Sequence, residues 1–190
     1  MGVETAAFRL FNSGCANGLF DAVLPVITRD SVNLAILAAV CLALLLSGAV
    51  SGSRAKLALA VRVVLTAALA VGLGELIAAH WLKELVGRPR PPLVLPSEQV
   101  RLLVGLGSHA SFPSSHAVNT FAVMTAVALG YPRQRLWALG YAAVIAFSRV
   151  YVGVHWPTDV LFGTVLGMAL AYGLWRSGER VRARRERERG

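Results

Sequence analysis

Acidic residues are scarce in this chain. Ten Asp and Glu stand against nineteen Lys and Arg in 190 residues, and charged residues make up only 15% of the total. A soluble domain carries about 25%. Cysteine is scarcer still: Cys15 and Cys41 are the only two. That leaves no disulfide framework and no thiolate zinc site, so both read as small apolar packing residues. The start, MGVETAAFRLFNSG, lacks the basic region of a signal peptide. Asn12, Ser13 and Asn17 interrupt any early apolar core, so insertion by internal helices is expected instead.

Apolar residues are abundant, at 56%. They gather in five blocks, residues 32–50, 57–79, 117–129, 136–152 and 160–174. A bilayer span needs roughly 20 such residues. The third and fifth blocks are short, and their flanks at 112–116 and 172–175 must supply further turns. The expectation is an all-α integral membrane bundle of five spans. A sixth is counted if the N-terminal segment also crosses. Residues 7–27 carry an apolar stripe broken by Asn17-Gly18, which reads as an interfacial helix. The chain therefore divides into an N-terminal amphipathic segment (1–31), a transmembrane catalytic domain (32–175) and a basic tail (176–190).

Much of the net charge of +9 lies in that tail, RSGERVRARRERERG. Interleaved Glu179, Glu186 and Glu188 dilute it, and no aromatic residues are interspersed for base stacking, so nucleic acid is not expected as a partner. Lys and Arg collect on the cytoplasmic side of membrane helices. Arg54, Lys56, Arg133, Arg135 and the tail share one face of a five-span topology. The opposite face still holds Lys83, Arg88, Arg90, Arg101 and Arg149. Cations on the wrong side for topology are expected where an anion binds. Gly163 and Gly167 recur at the spacing of a helix-dimer motif, but close packing inside one bundle accounts for them more simply.

Three clusters fall on that face, each at the end of a span. In KELVGRPRP, Lys83 ends a helix and Pro89, Pro91 and Pro92 prevent its continuation. Alone, the cluster would be snorkelling cations. In FPSSHAVNT, Ser114 or Ser115 caps a helix and His116 sits in its first turn, where free N–H groups favour an anion. Capping explains the serines but does not require the histidine. In SRVYVGVHWPTD, Pro157 starts a helix and Asp159 lies four residues after His155. The carboxylate can fix the imidazole tautomer and prepare a nucleophile, or it can simply cap the helix. Together the clusters supply cations, two histidines, a carboxylate and hydroxyls, the inventory of phosphoryl transfer.

The blocks Lys83-x6-Arg90-Pro91, Pro113-Ser114-Ser115-His116 and Ser148-Arg149-x5-His155-x3-Asp159 resemble the signature of the type 2 phosphatidic acid phosphatase (PAP2) superfamily. The likeness covers residues 57–174. One position departs: the family's Gly is Ser115 here, which keeps the N–H and adds a hydroxyl. The resemblance implies that His155 attacks phosphorus, Asp159 orients it, and His116 serves as acid and then base. Lys83, Arg90, Ser114, Ser115 and Arg149 would hold the phosphate, with no metal and no cofactor. His109 and Arg88 fall outside the motif and read as loop or headgroup contacts.

The expected function is a lipid phosphate or diphosphate phosphatase of the inner (plasma) membrane, its site facing the periplasm or exterior. Its partners are the lipid substrate and membrane lipids. The chemistry also admits a lipid phosphotransferase using the same phosphohistidine, and the helices alone admit a non-catalytic scaffold. Polyprenyl diphosphate, phosphatidylglycerol phosphate, phosphatidic acid and lipid A phosphate all fit, with small size and an outward site favouring the first. The apolar loop 92–111, through Leu93, Val94, Leu102, Leu103 and Val104, is expected to shape lateral entry of a lipid.

Overall fold

A computed structural model describes residues 2–107 and 109–188. Among the described residues the main elements are seven helices: α1 (Val3–Gly14), α2 (Gly18–Ile27), α3 (Asp30–Val50), α4 (Arg54–Val86), α5 (Ser115–Gly130), α6 (Arg135–Tyr151) and α7 (Pro157–Arg187). Local chemistry sets their ends. Asn17 caps α2 by accepting from the Phe20 N–H, and Ser53 caps α4 by accepting from that of Lys56. Gly87, at φ 55°, closes α4 in the left-handed conformation that glycine adopts without strain. Pro157 occupies the first turn of α7, where its missing N–H removes no bond.

The protein is a multi-pass membrane protein. Helices α3, α4 and α7 are long and apolar enough to cross a bilayer. They present Leu34, Leu42, Leu65, Leu69, Leu161 and Val165 outward. An apolar belt of this size has no place in water. The α1–α2 pair, bent by 107°, is either one broken span or a re-entrant loop. Helices α5 and α6, at 16 and 17 residues, are shorter, about 24–26 Å at 1.5 Å per residue. The five predicted spans coincide with α3 to α7, but only three of those helices meet a span's length by themselves.

Helix α5 is the centre of the bundle, buried continuously from Ala117 to Val118 and from Thr120 to Val127. It packs against α4, α6 and α7. The small residues of α7 face it. A Cβ on Gly163 would stand 2.7 Å from the Ser114 carbonyl oxygen, and one on Gly167 would stand 2.3 Å from that of Val118. The four-residue spacing thus serves packing within the chain. It also fixes the start of α5, where the serines and His116 lie, against the start of α7, where Asp159 lies.

Two sequence expectations look different in three dimensions. The N-terminal segment is strapped over the bundle's end. Phe8 is fully buried with its ring 5.5 Å from that of Trp156, and Asn12 donates to the carbonyls of Arg101 and Tyr151. The basic tail is helical and continues α7 to Arg187, with Arg182–Glu186 and Arg184–Glu188 pairs at helical spacing. In the loop, Leu103 and Val104 turn inward against Leu24, Tyr151 and Val152. Leu93, Val94 and Leu102 remain exposed.

Candidate active site

The C-terminal end of α4, the N-terminal end of α5, the C-terminal end of α6 and the N-terminal end of α7 meet at one end of the bundle. Each contributes one element of the site. Asp159, in the first turn of α7, accepts from the Trp156 N–H through Oδ2 at 2.9 Å, so it caps the helix. The same oxygen faces His155 Nδ1 at 3.5 Å, long for a hydrogen bond but close for an electrostatic contact. Capping and orienting are therefore one arrangement, and the two sequence readings of Asp159 do not compete.

His155 lies in the tight connection between α6 and α7 and is 3% exposed. Arg90 Nη1 stands 3.2 Å from its Nε2 and also donates to the Val154 carbonyl. A guanidinium can only donate. Nε2 therefore accepts and carries the lone pair, and the ring proton sits on Nδ1 facing Asp159. Burial pushes the His155 pKa down to about 3; Asp159 pulls it up, while Arg149 and Arg90 push it lower still. The imidazole is neutral at physiological pH, with its lone pair directed at the cations.

Those cations are the predicted ones. Lys83 Nζ donates to Ser115 Oγ at 2.9 Å. The hydroxyl by which Ser115 departs from the family's glycine thus anchors a cation. Arg149 is buried, and its Nη1 donates to both the carbonyl and the hydroxyl of Thr28. Its Nε has no hydrogen-bond partner among the described residues, nor does Ser114 Oγ, although Ser114 is fully buried. Ser114 stands at the cap position of α5, yet its hydroxyl does not cap, and its N–H donates to the Asp159 carbonyl. Each unpaired buried polar atom costs about 1–3 kcal/mol. Unpaired buried donors of this kind suit an oxyanion ligand.

His116 is placed by a residue the sequence reading missed. Its Nε2 lies 2.9 Å from the Thr28 carbonyl and 3.2 Å from Asp30 Oδ1. Both can only accept, so Nε2 carries the proton and Nδ1 is left for exchange. Thr28 also accepts from Ser148 Oγ at 2.9 Å. One turn between α2 and α3 therefore ties together His116, Ser148 and Arg149. The only sequence signal was a polar break, Thr28-Arg29-Asp30, between apolar segments.

Arg88, read from the sequence as a loop or headgroup contact, takes a different place. It donates to Asp159 Oδ1 at 2.8 Å and to Thr158 Oγ1 at 2.7 Å, pairs with Glu4, and lies over the Trp156 ring. It is a clamp on the carboxylate and not a headgroup contact. Arg101 is likewise committed, to both oxygens of Asp21 and to the Asn12 carbonyl, and takes no part in the cradle. His109 is exposed in the loop. Among the described residues no three His, Cys, Asp or Glu side chains converge as a metal site.

The family model of the PAP2 superfamily matches residues 31–183. The chain belongs to the PAP2 superfamily. A lipid A 1-phosphatase of Rhizobium johnstonii is 35% identical over 99 residues, covering 51% of this chain and 38% of that protein. An undecaprenyl-diphosphatase of Sulfolobus acidocaldarius is 41% identical over 64 residues, covering 33% and 31%. The chain thus spans well under half the length of either relative. The crystal structure of Aquifex aeolicus LpxE superposes with a TM-score of 0.72 at 24% identity, covering 93% of this chain and 96% of that one. The bundle is that of a PAP2 protein along nearly its whole length.

Proposed function

We propose that this PAP2 protein is a membrane-embedded lipid phosphate phosphatase that works through a phosphohistidine. The observation that carries the reading is the state of His155. It is neutral, its proton faces Asp159, and its Nε2 lone pair faces Arg90, while the buried Arg149 Nε and Ser114 Oγ of the same cluster of motif residues are unpaired among the described residues. A phosphoryl group held by Lys83, Arg90 and Arg149 places phosphorus before Nε2. The P–N bond forms as the bond to the lipid oxygen breaks. His116 gives that oxygen a proton, then takes one from the water that cleaves the P–N bond, releasing phosphate. The Arg guanidiniums can grip two oxygens at once, and the buried site strengthens every charge on the transferring group.

The site faces the periplasm or exterior in this reading, across the plasma membrane. The support is charge placement: Arg54, Lys56, Arg133, Arg135 and the basic end of α7 lie at the opposite end of the bundle. On that basis the chain divides into a docked N-terminal segment and a transmembrane catalytic domain. Membrane lipids surround it, with the apolar loop near the mouth. Phosphate release from a panel of lipid phosphates and diphosphates, in detergent with EDTA, tests the activity. An alkaline denaturing quench with labelled substrate tests the intermediate: wild type traps a base-stable, acid-labile phosphoprotein, and His155→Ala traps none. Turnover that survives in His155→Ala overturns the nucleophile assignment.

A further inference from the structure

A groove of about 370 Å³ runs along the bundle between α3, α4 and α5 and ends on Ser115 and His116. Its walls are apolar, including Leu37, Val64 and Val71. Leu34 on its rim is 68% exposed, so it opens toward the lipid. Two carboxylates line it: Asp30 at the start of α3, and Glu75 of α4 between the apolar walls. Glu75 Oε1 accepts from the Asn119 side-chain amide. Its Oε2 receives no hydrogen bond, and no cation forms an ion pair with Glu75, among the described residues. Lys83, two turns farther along the same helix, donates to Ser115 instead. Asn119 follows His116 by three residues, which puts the Glu75–Asn119 pair about 5 Å deeper than the acid–base histidine. An ionisable side chain at such a position in a membrane helix marks a functional contact.

We propose that Glu75 is a specificity-determining residue that accepts a hydrogen bond from a hydroxyl on the alcohol portion of the lipid substrate. This rests on the phosphatase reading, which places the leaving alcohol beside His116 and therefore at the head of this groove. A monoester with a hydroxyl a few bonds from the phosphate meets the open oxygen of Glu75. A prenyl diphosphate has no such hydroxyl. It would also bring its second phosphate between Glu75 and Asp30, which lines the same groove, and like charges repel there. The groove thus selects hydroxylated phosphate monoesters, built on glycerol or on a sugar, against the prenyl diphosphates that the sequence favoured.

The test uses the full chain in detergent micelles and matched lipids: 1-acylglycerol 3-phosphate, its 2-deoxy analogue, an acylated sugar 1-phosphate and a prenyl diphosphate. Wild type should favour the hydroxylated glycerol lipid over its deoxy analogue by about tenfold or more in kcat/KM. Glu75→Ala should bring the two within about twofold of each other. Glu75→Gln keeps an acceptor oxygen but no charge, so it should retain part of the preference while gaining activity on the diphosphate. The glycerol and sugar lipids, compared with each other, tell which backbone carries the hydroxyl. Equal rates on the matched pair in wild type, or a preference that survives Glu75→Ala in protein with wild-type melting behaviour, overturns the inference and leaves the phosphatase reading intact. No phosphate release by wild type from any lipid overturns both.

Discussion

Arg88 Nη1 lies 2.8 Å from Asp159 Oδ1, while the other carboxylate oxygen serves the Trp156 N–H and faces His155. The carboxylate is thereby held at both oxygens, and the imidazole has one orientation to adopt. Glu4 of α1 bonds to Arg88 and Thr158, so the N-terminal segment closes the clamp from outside. A fully buried carboxylate needs such partners, since leaving it unpaired costs about 3–5 kcal/mol.

On the proposed mechanism, Arg88→Ala should therefore lower kcat by about tenfold to a hundredfold while KM changes less, because Arg88 holds Asp159, which faces His155. Arg88→Lys should fall between, keeping the charge but not the forked contact to Thr158 and Asp159. Steady-state kinetics on any accepted lipid phosphate decides. A change confined to KM would place Arg88 among the phosphate ligands.

Thr28→Val removes the hydroxyl that meets Arg149 and Ser148 but keeps the carbonyl that meets His116. The loss of one buried partner is worth about 1–3 kcal/mol. The expected outcome is weaker binding of inorganic phosphate as a product inhibitor, by about tenfold for the lower half of that range. An unchanged inhibition constant would show that Arg149 keeps its place without Thr28.

Gly167→Ala puts a methyl group 2.3 Å from the Val118 carbonyl oxygen and must push α7 away from α5. Overpacking of this kind costs about 1–3 kcal/mol. The apparent melting temperature in detergent should fall by several degrees. Gly173→Ala, where nothing lies within 4 Å, should leave it in place. Equal melting of both variants would remove the glycine contact as a determinant of the bundle.

The pH response of stability follows from His155. Its pKa in the fold is about 3, against the ordinary 6.5. Above pH 6.5 neither the folded nor the unfolded chain protonates it, and this group adds no slope. Between 6.5 and 3 the unfolded chain takes up a proton that the folded chain refuses, so stability falls as pH falls. The limiting slope is about 1.4 kcal/mol per pH unit. Melting of wild type and His155→Gln at pH 7.5 and 5 should differ in steepness, with the wild type losing more. Parallel curves would mean that His155 accepts a proton inside the fold.

Much of this site was legible because its chemistry is written in local strings. Asp159 reaches back to His155 across one helical turn, and Pro157 sets where that turn begins. Lys83, Arg90, Ser115 and His116 lie at helix ends that prolines and serines mark in the chain. Thr28, Arg88 and Glu75 carry no such mark. Thr28 meets His116 through its carbonyl, which every residue has, and its hydroxyl finds Ser148 and Arg149 only in the folded chain. Arg88 differs from its neighbour Arg90 only in which partner it faces. Glu75 looks like one charge within an apolar run until Asn119, 44 residues later, meets it.

By itself, then, the sequence determined the helices, the membrane setting and the candidate residues that gather at one end of the bundle, because hydropathy, capping and short-range reach are properties of contiguous residues. Tertiary structure alone decided which oxygen of Asp159 faces the imidazole, which partner each histidine nitrogen meets, and which groove ends on Ser115 and His116. Those depend on the backbone contact of Gly163 and Gly167 with α5 and on the docking of α1 over Trp156. Such contacts join residues far apart in the chain, and only close packing brings them together.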